Sequence, residues 1–74
     1  MSIESRVRRV VADQYGVNLE RIETTTRLED LNGDSLDLFE VTFELEQEFD
    51  ITLSDDALER VVTVADLIAA IPGQ

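Results

Sequence analysis

The side chains available for chemistry in this chain are hydroxyls and carboxylates. Histidine and cysteine are absent. All six basic residues are arginines, so lysine is absent as well. Histidine is the commonest general base and metal ligand, and cysteine is needed for disulfides and thiolate metal sites. An enzyme made from these residues would depend on carboxylates alone. We therefore expect a protein without catalytic residues and without a dedicated metal site.

One serine occupies a distinctive position among these side chains. It lies in the segment from Leu31 to Asp37, which reads LNGDSLD. Asp34 is predicted to be the N-cap of a helix that starts at Ser35, and Asp37 is an acid in the first turn, where it suits the helix dipole. An isolated Asp-Ser pair could be no more than a helix cap, so its meaning depends on the elements around it.

The first predicted helix runs from about Ser2 to Tyr15, with Ser2 as its cap and Gly16 as a left-handed stop. Its apolar residues recur at spacings of three and four; they are Ile3, Val7, Val10, Val11 and Tyr15. The stretch from Val17 to Gly33 is long for a connection between helices. We expect an ordered loop with one short turn near residues 28–31, anchored in the core by Val17, Leu19, Ile22, Leu28 and Leu31.

The second helix is expected to run from its cap at Asp34 to about Phe49. One face of this helix is apolar and consists of Leu38, Val41, Thr42, Leu45 and Phe49, while Leu36, Phe39 and Phe43 lie to the side of it. Because the apolar arc is wide, it suggests contact with several neighbours or with a ligand. Ile51 and Leu53 are expected to anchor the loop that follows.

Two shorter helices complete the pattern. The third is predicted over Asp55 to Val61, with Ser54 as its cap. The fourth begins after Thr63, whose spacing to Asp66 is that of a capping box, and it ends at Pro72-Gly73. Its inward residues are Val64, Leu67, Ile68 and Ile71.

Together these segments predict an all-α fold, a four-helix bundle with three main helices, one short third helix and a long first loop. The length suits one domain, over residues 1–74. No run of about 18 apolar residues is present, and no charged-then-apolar leader is visible. We therefore expect neither a membrane span nor a secretory signal, and we expect a cytoplasmic monomer.

The chain is strongly acidic, with a net charge of -11, and its charge is unevenly placed. No basic residue occurs between Leu28 and Glu59, a span that holds twelve acids. Nucleic-acid phosphates demand cationic contacts, so the composition excludes a nucleic-acid partner. Such a surface favours proteins with basic surfaces, whose approach it would steer electrostatically.

The acidic second helix is also where the chain resembles a known family. The tract from Asp34 to Asp37, followed by Glu40 and by the run LEQEFDI from Leu45 to Ile51, closely resembles the acyl carrier proteins of fatty-acid and polyketide synthesis. The long first loop and the start of the last helix, from Thr63 to Leu67, fall in the same register. The resemblance therefore covers nearly the whole chain, whereas a bare Asp-Ser-Leu would mean little.

The resemblance implies that Ser35 is the attachment point of 4′-phosphopantetheine, transferred from coenzyme A by a separate phosphopantetheinyl transferase. The terminal thiol of this arm would carry acyl groups as thioesters, which explains how a chain without cysteine can do thiol chemistry. The position is physically reasonable, because a serine in the first turn of a helix lies beside unpaired backbone N–H groups that favour a phosphodiester anion.

The resemblance also implies roles for the residues near Ser35. Asp34 and Asp37 would help the transferase by engaging its magnesium or a basic side chain. A docking face would be formed by Leu36, Asp37, Phe39, Glu40, Phe43 and Glu44. Its acids would meet basic residues of biosynthetic enzymes, and its apolar residues would add contact area. Phe39 and Phe43 could instead line the core or a groove.

Several alternatives stay open on the sequence alone. Asn32-Gly33 does not separate acyl carriers from peptidyl or aminoacyl carriers, although Asp37 and Glu40 favour the acyl type. Phe43 and Glu44 depart from the residues common in the family, which makes a specialised carrier for one pathway plausible. An acidic protein-interaction module without any prosthetic group is a further alternative.

A calcium site of the EF-hand type is disfavoured. Asp30, Asn32 and Asp34 match positions 1, 3 and 5 of such a loop. Ser35, however, stands where the sharp turn needs glycine, and Val41 stands where a bidentate glutamate is needed. Two of the defining positions therefore fail.

Overall fold

The first helix, α1, spans Ile3–Tyr15, as the apolar spacing predicts. The structure, a computed structural model, describes residues 2–31 and 34–72. The Ser2 hydroxyl caps α1 by accepting a hydrogen bond from the Ser5 N–H at 3.1 Å. Gly16 ends it with φ 66° and ψ 34°, a left-handed conformation that residues with a Cβ rarely adopt.

The long connection after α1 contains two 3₁₀ turns where the sequence predicted one. The predicted turn is confirmed at Leu28–Leu31, and a second one lies at Leu19–Arg21. The prediction that Leu19 anchors the core is wrong, because its side chain is exposed. The backbone of this turn makes the attachment instead, since the carbonyls of Leu19 and Ile22 accept hydrogen bonds from Arg8 at 3.2 and 2.6 Å. Three apolar residues of the connection are buried as predicted: Ile22, Leu28 and Leu31.

Three helices remain in the part that the structure describes. α2 spans Ser35–Phe49, α3 spans Asp55–Glu59, and α4 spans Val64–Ala70. The prediction that α3 reaches Val61 is wrong. The N–H groups of Arg60 and Val61 bond to carbonyls only three residues back, those of Ala57 and Leu58. This tighter winding ends the α-helix at Glu59. The predicted end of α4 includes Gly73, which lies outside the described residues.

The core lies where α1 packs against α2 and α4. Its fully buried side chains come from these three helices and from the connection: Val7, Val11, Ile22, Val41, Leu45, Val64 and Leu67. Thr42 is buried among them, and its hydroxyl donates to the Phe39 carbonyl at 2.8 Å. A buried hydroxyl needs such a partner. The predicted all-α helical bundle is confirmed, and no helix in the described part of the chain combines the length and apolar character required to cross a bilayer.

The first connection is also paired with the start of α4. The Leu28 N–H donates to the Val62 carbonyl at 2.9 Å, and the Val64 N–H donates to the Thr26 carbonyl at 3.0 Å. An isolated antiparallel bridge joins Arg27 and Thr63 between these two bonds. The segment before α2 and the segment before α4 therefore hold a fixed relative position.

The capping box of α4 provides a prediction of pH dependence. Asp66 accepts hydrogen bonds from the N–H groups of Thr63 and Val62, each at 2.9 Å, and these bonds lower the pKa of its carboxyl below the ordinary value. A lowered folded-state pKa stabilises the protein above the unfolded pKa, about 4 for aspartate, and this contribution is lost as the pH falls through the folded pKa. We expect Asp66→Asn to lower the free energy of unfolding at pH 7.

Urea denaturation of Asp66→Asn at pH 7 and at steps below pH 4 measures this effect. The difference from the wild type should shrink as the pH falls, because protonation removes the wild type's advantage. Asp56→Asn removes the same charge from a carboxylate that accepts no hydrogen bond within the described residues, so it controls for the general relief of repulsion. Equal pH profiles for the two variants would contradict the prediction.

Candidate functional site

The start of α2 is built by a reciprocal pair of aspartates. The Asp34 carboxylate accepts hydrogen bonds from the N–H groups of Leu36, at 3.0 Å, and Asp37, at 3.2 Å. The Asp37 carboxylate accepts one from the Asp34 N–H at 3.0 Å. This capping box makes Asp34 the N-cap and Ser35 the first residue of α2, as the sequence predicted.

The same capping box corrects one expectation about Ser35. The sequence predicted free backbone N–H groups beside this residue, but those of Leu36 and Asp37 donate to the Asp34 carboxylate. The expectation is therefore wrong for these two donors, because the cap satisfies them. A phosphodiester at this position would lie near two carboxylates and would need its countercharge from another element.

The predicted docking residues of α2 are mostly at the surface. Leu36, Phe39 and Phe43 are 61%, 62% and 59% exposed, so a core role for the two phenylalanines is wrong. Spacings of three, four and seven place these residues on one side of the helix. Glu40 and Glu44 are also exposed, whereas Asp37 is half-buried within the capping box. The face therefore combines large apolar side chains with acids.

A hydrogen bond to this face from α1 was not predicted. The side-chain amide of Gln14 donates to the Glu40 carboxylate. Gln14 lies near the end of α1, twenty-six residues before its partner. Nothing in the local sequence marks such a pairing, because it depends on how the two helices pack.

Several of the acids between Leu28 and Glu59 are engaged inside the molecule. Glu48 pairs with Arg6 at 2.9 Å, and the Arg6 guanidinium also lies 4.3 Å from the centre of the Phe49 ring. The Glu46 carboxylate accepts a hydrogen bond from the Leu53 N–H at 2.9 Å, which ties the loop after α2 to that helix. Acids that make contacts inside the molecule therefore lie at both ends of α2, with Asp34 and Asp37 in the capping box and Glu46 and Glu48 near the last turn.

An apolar groove lies between α2 and α3 and includes Leu38 in its lining. Its narrow part, about 90 Å³, is lined by Leu38, Phe39, Thr42 and Leu58. A wider part of about 420 Å³ is lined by Phe39 and Leu58 together with Asp55 and Glu59. Phe39 belongs to both parts, so this exposed ring is a groove residue as well as a member of the predicted docking face.

A second cleft, of about 370 Å³, also includes Leu38 in its lining, and we call it the Tyr15 cleft. Its lining comes from α1, the first connection, the start of α2 and the segment before α4: Tyr15, Arg27, Leu28, Glu29, Asp34, Leu38, Val61 and Val62. Burial raises the pKa of the Tyr15 hydroxyl, and the charges of Asp37 and Asp34 raise it further. This cleft adjoins the predicted attachment position, because Asp34 precedes Ser35.

The described residues contain no group of three or more acidic side chains arranged to hold a metal ion. One position of the disfavoured calcium loop, Asn32, lies outside the described residues. The carboxylate of another, Asp34, accepts two backbone N–H groups as a helix cap. The pair Asn32-Gly33, which does not distinguish acyl from peptidyl or aminoacyl carriers, also lies outside the described residues.

Comparison with known families identifies the family of this chain. The family model of the phosphopantetheine attachment site matches residues 5–71, from the first turn of α1 to the residue after α4. The residues present fit a covalent arm, since position 35 is the first of a helix whose exposed N-cap, Asp34, opens onto the Tyr15 cleft. The chain therefore belongs to the phosphopantetheine attachment family, a group of carrier domains that bear 4′-phosphopantetheine as their prosthetic group.

Proposed function

We propose that this chain carries acyl intermediates as thioesters on a 4′-phosphopantetheine arm attached to Ser35. It would deliver them to fatty-acid, polyketide or lipid biosynthetic enzymes and perform no catalysis itself. The capping box carries the proposal, since it makes Ser35 the first residue of α2 in a chain whose family attaches this group. The arm supplies a thiol that the sequence lacks. In this proposal, residues 1–74 form a single carrier domain that works as a monomer.

The face around Ser35 supports protein partners with basic surfaces. Leu36, Phe39 and Phe43 present apolar area beside the exposed acids Glu40 and Glu44. Large aromatic side chains are the residues that contribute most at protein interfaces, while exposed ion pairs contribute only about 0–1 kcal/mol each. This combination suits a carrier that visits several enzymes, because its contacts are specific but release quickly. Asp37 belongs to the same face and to the capping box.

The volume of the groove between α2 and α3 favours a particular length of acyl cargo. Its narrow part of about 90 Å³ is well below the roughly 300–1,000 Å³ of ordinary ligand pockets. The lining of this part is apolar apart from the Thr42 hydroxyl, which already donates to a carbonyl. A short acyl group is the cargo that this volume favours, and a longer chain requires α3 to move away from α2.

The loading test uses the intact protein, a phosphopantetheinyl transferase and coenzyme A. Transfer of the pantetheinyl phosphate to the Ser35 hydroxyl, with release of adenosine 3′,5′-bisphosphate, should raise the intact mass by about 340 Da. Offering the loaded protein to an acyltransferase with malonyl coenzyme A, and to an amino-acid-adenylating enzyme with ATP, then distinguishes acyl from aminoacyl carriers. A chain that gains no mass where other carriers load would leave only the acidic interaction module.

Glu40→Lys tests the docking face. It replaces an exposed acid of this face and breaks its hydrogen bond with Gln14. We expect the KM for loading by the transferase to rise about five- to tenfold, equivalent to about 1 kcal/mol of lost attraction. Stability should change little or increase, because the change reduces the net negative charge.

Glu23→Lys is the matched control for this prediction. Glu23 is exposed in the first connection, so its replacement changes the net charge equally but leaves α2 intact. Steady-state kinetics of loading should show a much smaller effect for this variant. Similar KM values for the two variants would show that total charge, and not the α2 face, governs the encounter.

A further inference from the structure

The capping box of α2 does not supply a countercharge for a phosphodiester on Ser35. A phosphodiester on this residue adds an anion beside Asp34 and Asp37 in a chain that already has a net charge of -11. The N–H groups of Leu36 and Asp37 donate to Asp34, so these two cannot also donate to the phosphate. Like charges at close range raise the free energy of the folded state. A cation on a neighbouring element would relieve this repulsion.

Arg27 is the only basic residue among those that line the Tyr15 cleft. It pairs with Glu29 at 2.6 Å, and the two side chains are 55% and 66% exposed. An ion pair this exposed contributes little and exchanges partners readily. The Arg27 guanidinium is therefore available to a phosphate, whose planar bidentate recognition it suits.

Besides Arg27 and the carboxylates of Glu29 and Asp34, the Tyr15 cleft offers one hydrogen-bond donor and an apolar wall. The Tyr15 hydroxyl has no hydrogen-bond partner within residues 2–31 and 34–72, and its raised pKa keeps it protonated as a donor. Val62 is 48% exposed, and Leu38 is half-buried beside it. 4′-Phosphopantetheine consists of a phosphate, a geminal dimethyl group, a hydroxyl, two amides and a terminal thiol. The cleft thus presents a cation, a donor and apolar surface to a molecule that has an anion, acceptors and two methyl groups, and because its other charged residues are the acids Glu29 and Asp34, the attraction for the phosphate comes from Arg27.

We propose that the Tyr15 cleft receives the part of the arm nearest the attachment point, with Arg27 as the countercharge of the phosphodiester, Tyr15 as a donor to an amide carbonyl, and Val62 as the contact of the geminal methyl groups. This inference rests on the proposed attachment at Ser35. The cleft is preformed, because the bond from Leu28 to Val62 and the bridge from Arg27 to Thr63 hold its walls together. Preformed walls reduce the entropy lost when a flexible arm is ordered.

An isotope-filtered NOE experiment on the loaded protein tests the proposal. The protein is labelled with ¹³C and ¹⁵N, and the arm comes from unlabelled coenzyme A. We expect NOEs from the geminal methyl groups of the arm to the Val62 methyls and the Tyr15 ring. NOEs from the geminal methyl groups to Phe39 and Leu58, which line the groove between α2 and α3, would overturn the proposal, and so would the absence of any NOE from these methyl groups to the protein.

Arg27→Gln supplies an independent readout, with Arg27→Lys as the conservative variant and Arg60→Gln as a control for net charge. Arg60 is exposed and lies outside the Tyr15 cleft. In the wild type, loading should shift the amide resonances of Val62 and Tyr15. Arg27→Gln should at least halve these shifts, while Arg27→Lys and Arg60→Gln should retain most of them. Equal shifts in all four proteins would contradict the role of Arg27.

The attachment at Ser35 and the seating of the arm in the Tyr15 cleft are tested by different measurements. Intact mass is measured first on every sample. A protein that gains no mass overturns the attachment at Ser35 and this inference with it. A protein that gains about 340 Da but shows no NOE in the Tyr15 cleft overturns only the seating of the arm. Arg27 is largely exposed, so its replacement should preserve the fold; if it does not, the NOE result on the wild type decides.

Discussion

Ser35→Ala is expected to abolish loading while leaving the helical fold intact. The hydroxyl is the proposed bond-forming group, so its removal should eliminate the mass gain of about 340 Da entirely. Stability should change by less than about 1 kcal/mol, because the N-cap of α2 is Asp34 and alanine has the best helix propensity. Intact mass after treatment with the transferase and far-UV circular dichroism measure the two parts of the prediction.

Ser54→Ala provides the matched control. Ser54 is also a serine at the start of a helix, where its hydroxyl accepts the Ala57 N–H at 3.1 Å and caps α3. Its replacement should cost about 1 kcal/mol of stability through the lost cap but should load fully. The two serines are therefore expected to show opposite patterns. Continued loading of Ser35→Ala, or loss of its helical signal, would refute the assignment.

Leu45→Ala has the largest expected effect on stability. Leu45 is fully buried on the inner face of α2, and truncation of a buried leucine typically costs about 2–5 kcal/mol. A domain of this length is stable by only about 4–11 kcal/mol, at roughly 0.05–0.15 kcal/mol per residue. The variant should therefore lose a large share of its stability. Urea denaturation followed by circular dichroism measures the loss as a lower midpoint.

Leu36→Ala is the natural comparison, since it removes the same atoms from the same helix. The Leu36 side chain is 61% exposed, so the expected change in the free energy of unfolding is within about 0.5 kcal/mol. This variant should instead raise the KM for loading, because Leu36 belongs to the proposed docking face. A stability loss as large as that of Leu45→Ala would show that Leu36 is part of the core.

Local signals explain why most of the helices could be predicted from the sequence. The caps at Ser2, Asp34, Ser54 and Thr63 are each made by residues within three positions of one another, and the interactions that they describe are equally local. The end of α3 was missed because no glycine or proline marks it. The exposed Leu19 was missed because hydrophobicity alone does not decide burial in a short turn.

The candidate site was predictable only in part, because only some of its residues are close together in the sequence. The attachment position and the acids of α2 are contiguous in sequence, and a family resemblance could identify them. The Tyr15 cleft brings together residues from four separate segments, so no local pattern indicates it. The bond between Gln14 and Glu40 likewise depends on how α1 packs against α2. The use of the Leu36 and Asp37 N–H groups by Asp34 follows from the predicted cap itself and shows that a good cap leaves few donors for an anion.

The small size of α3 has a consequence for the cargo of the proposed carrier. α3 has five residues, none of them fully buried, so moving it outward breaks fewer core contacts than moving a longer helix would. The start of α2 is fixed by its capping box, and hydrogen bonds hold the first connection against the segment before α4. In the proposed function, we infer that α3 is an adjustable wall and the start of α2 a rigid anchorage, so that differences in cargo size would be absorbed by movement of α3.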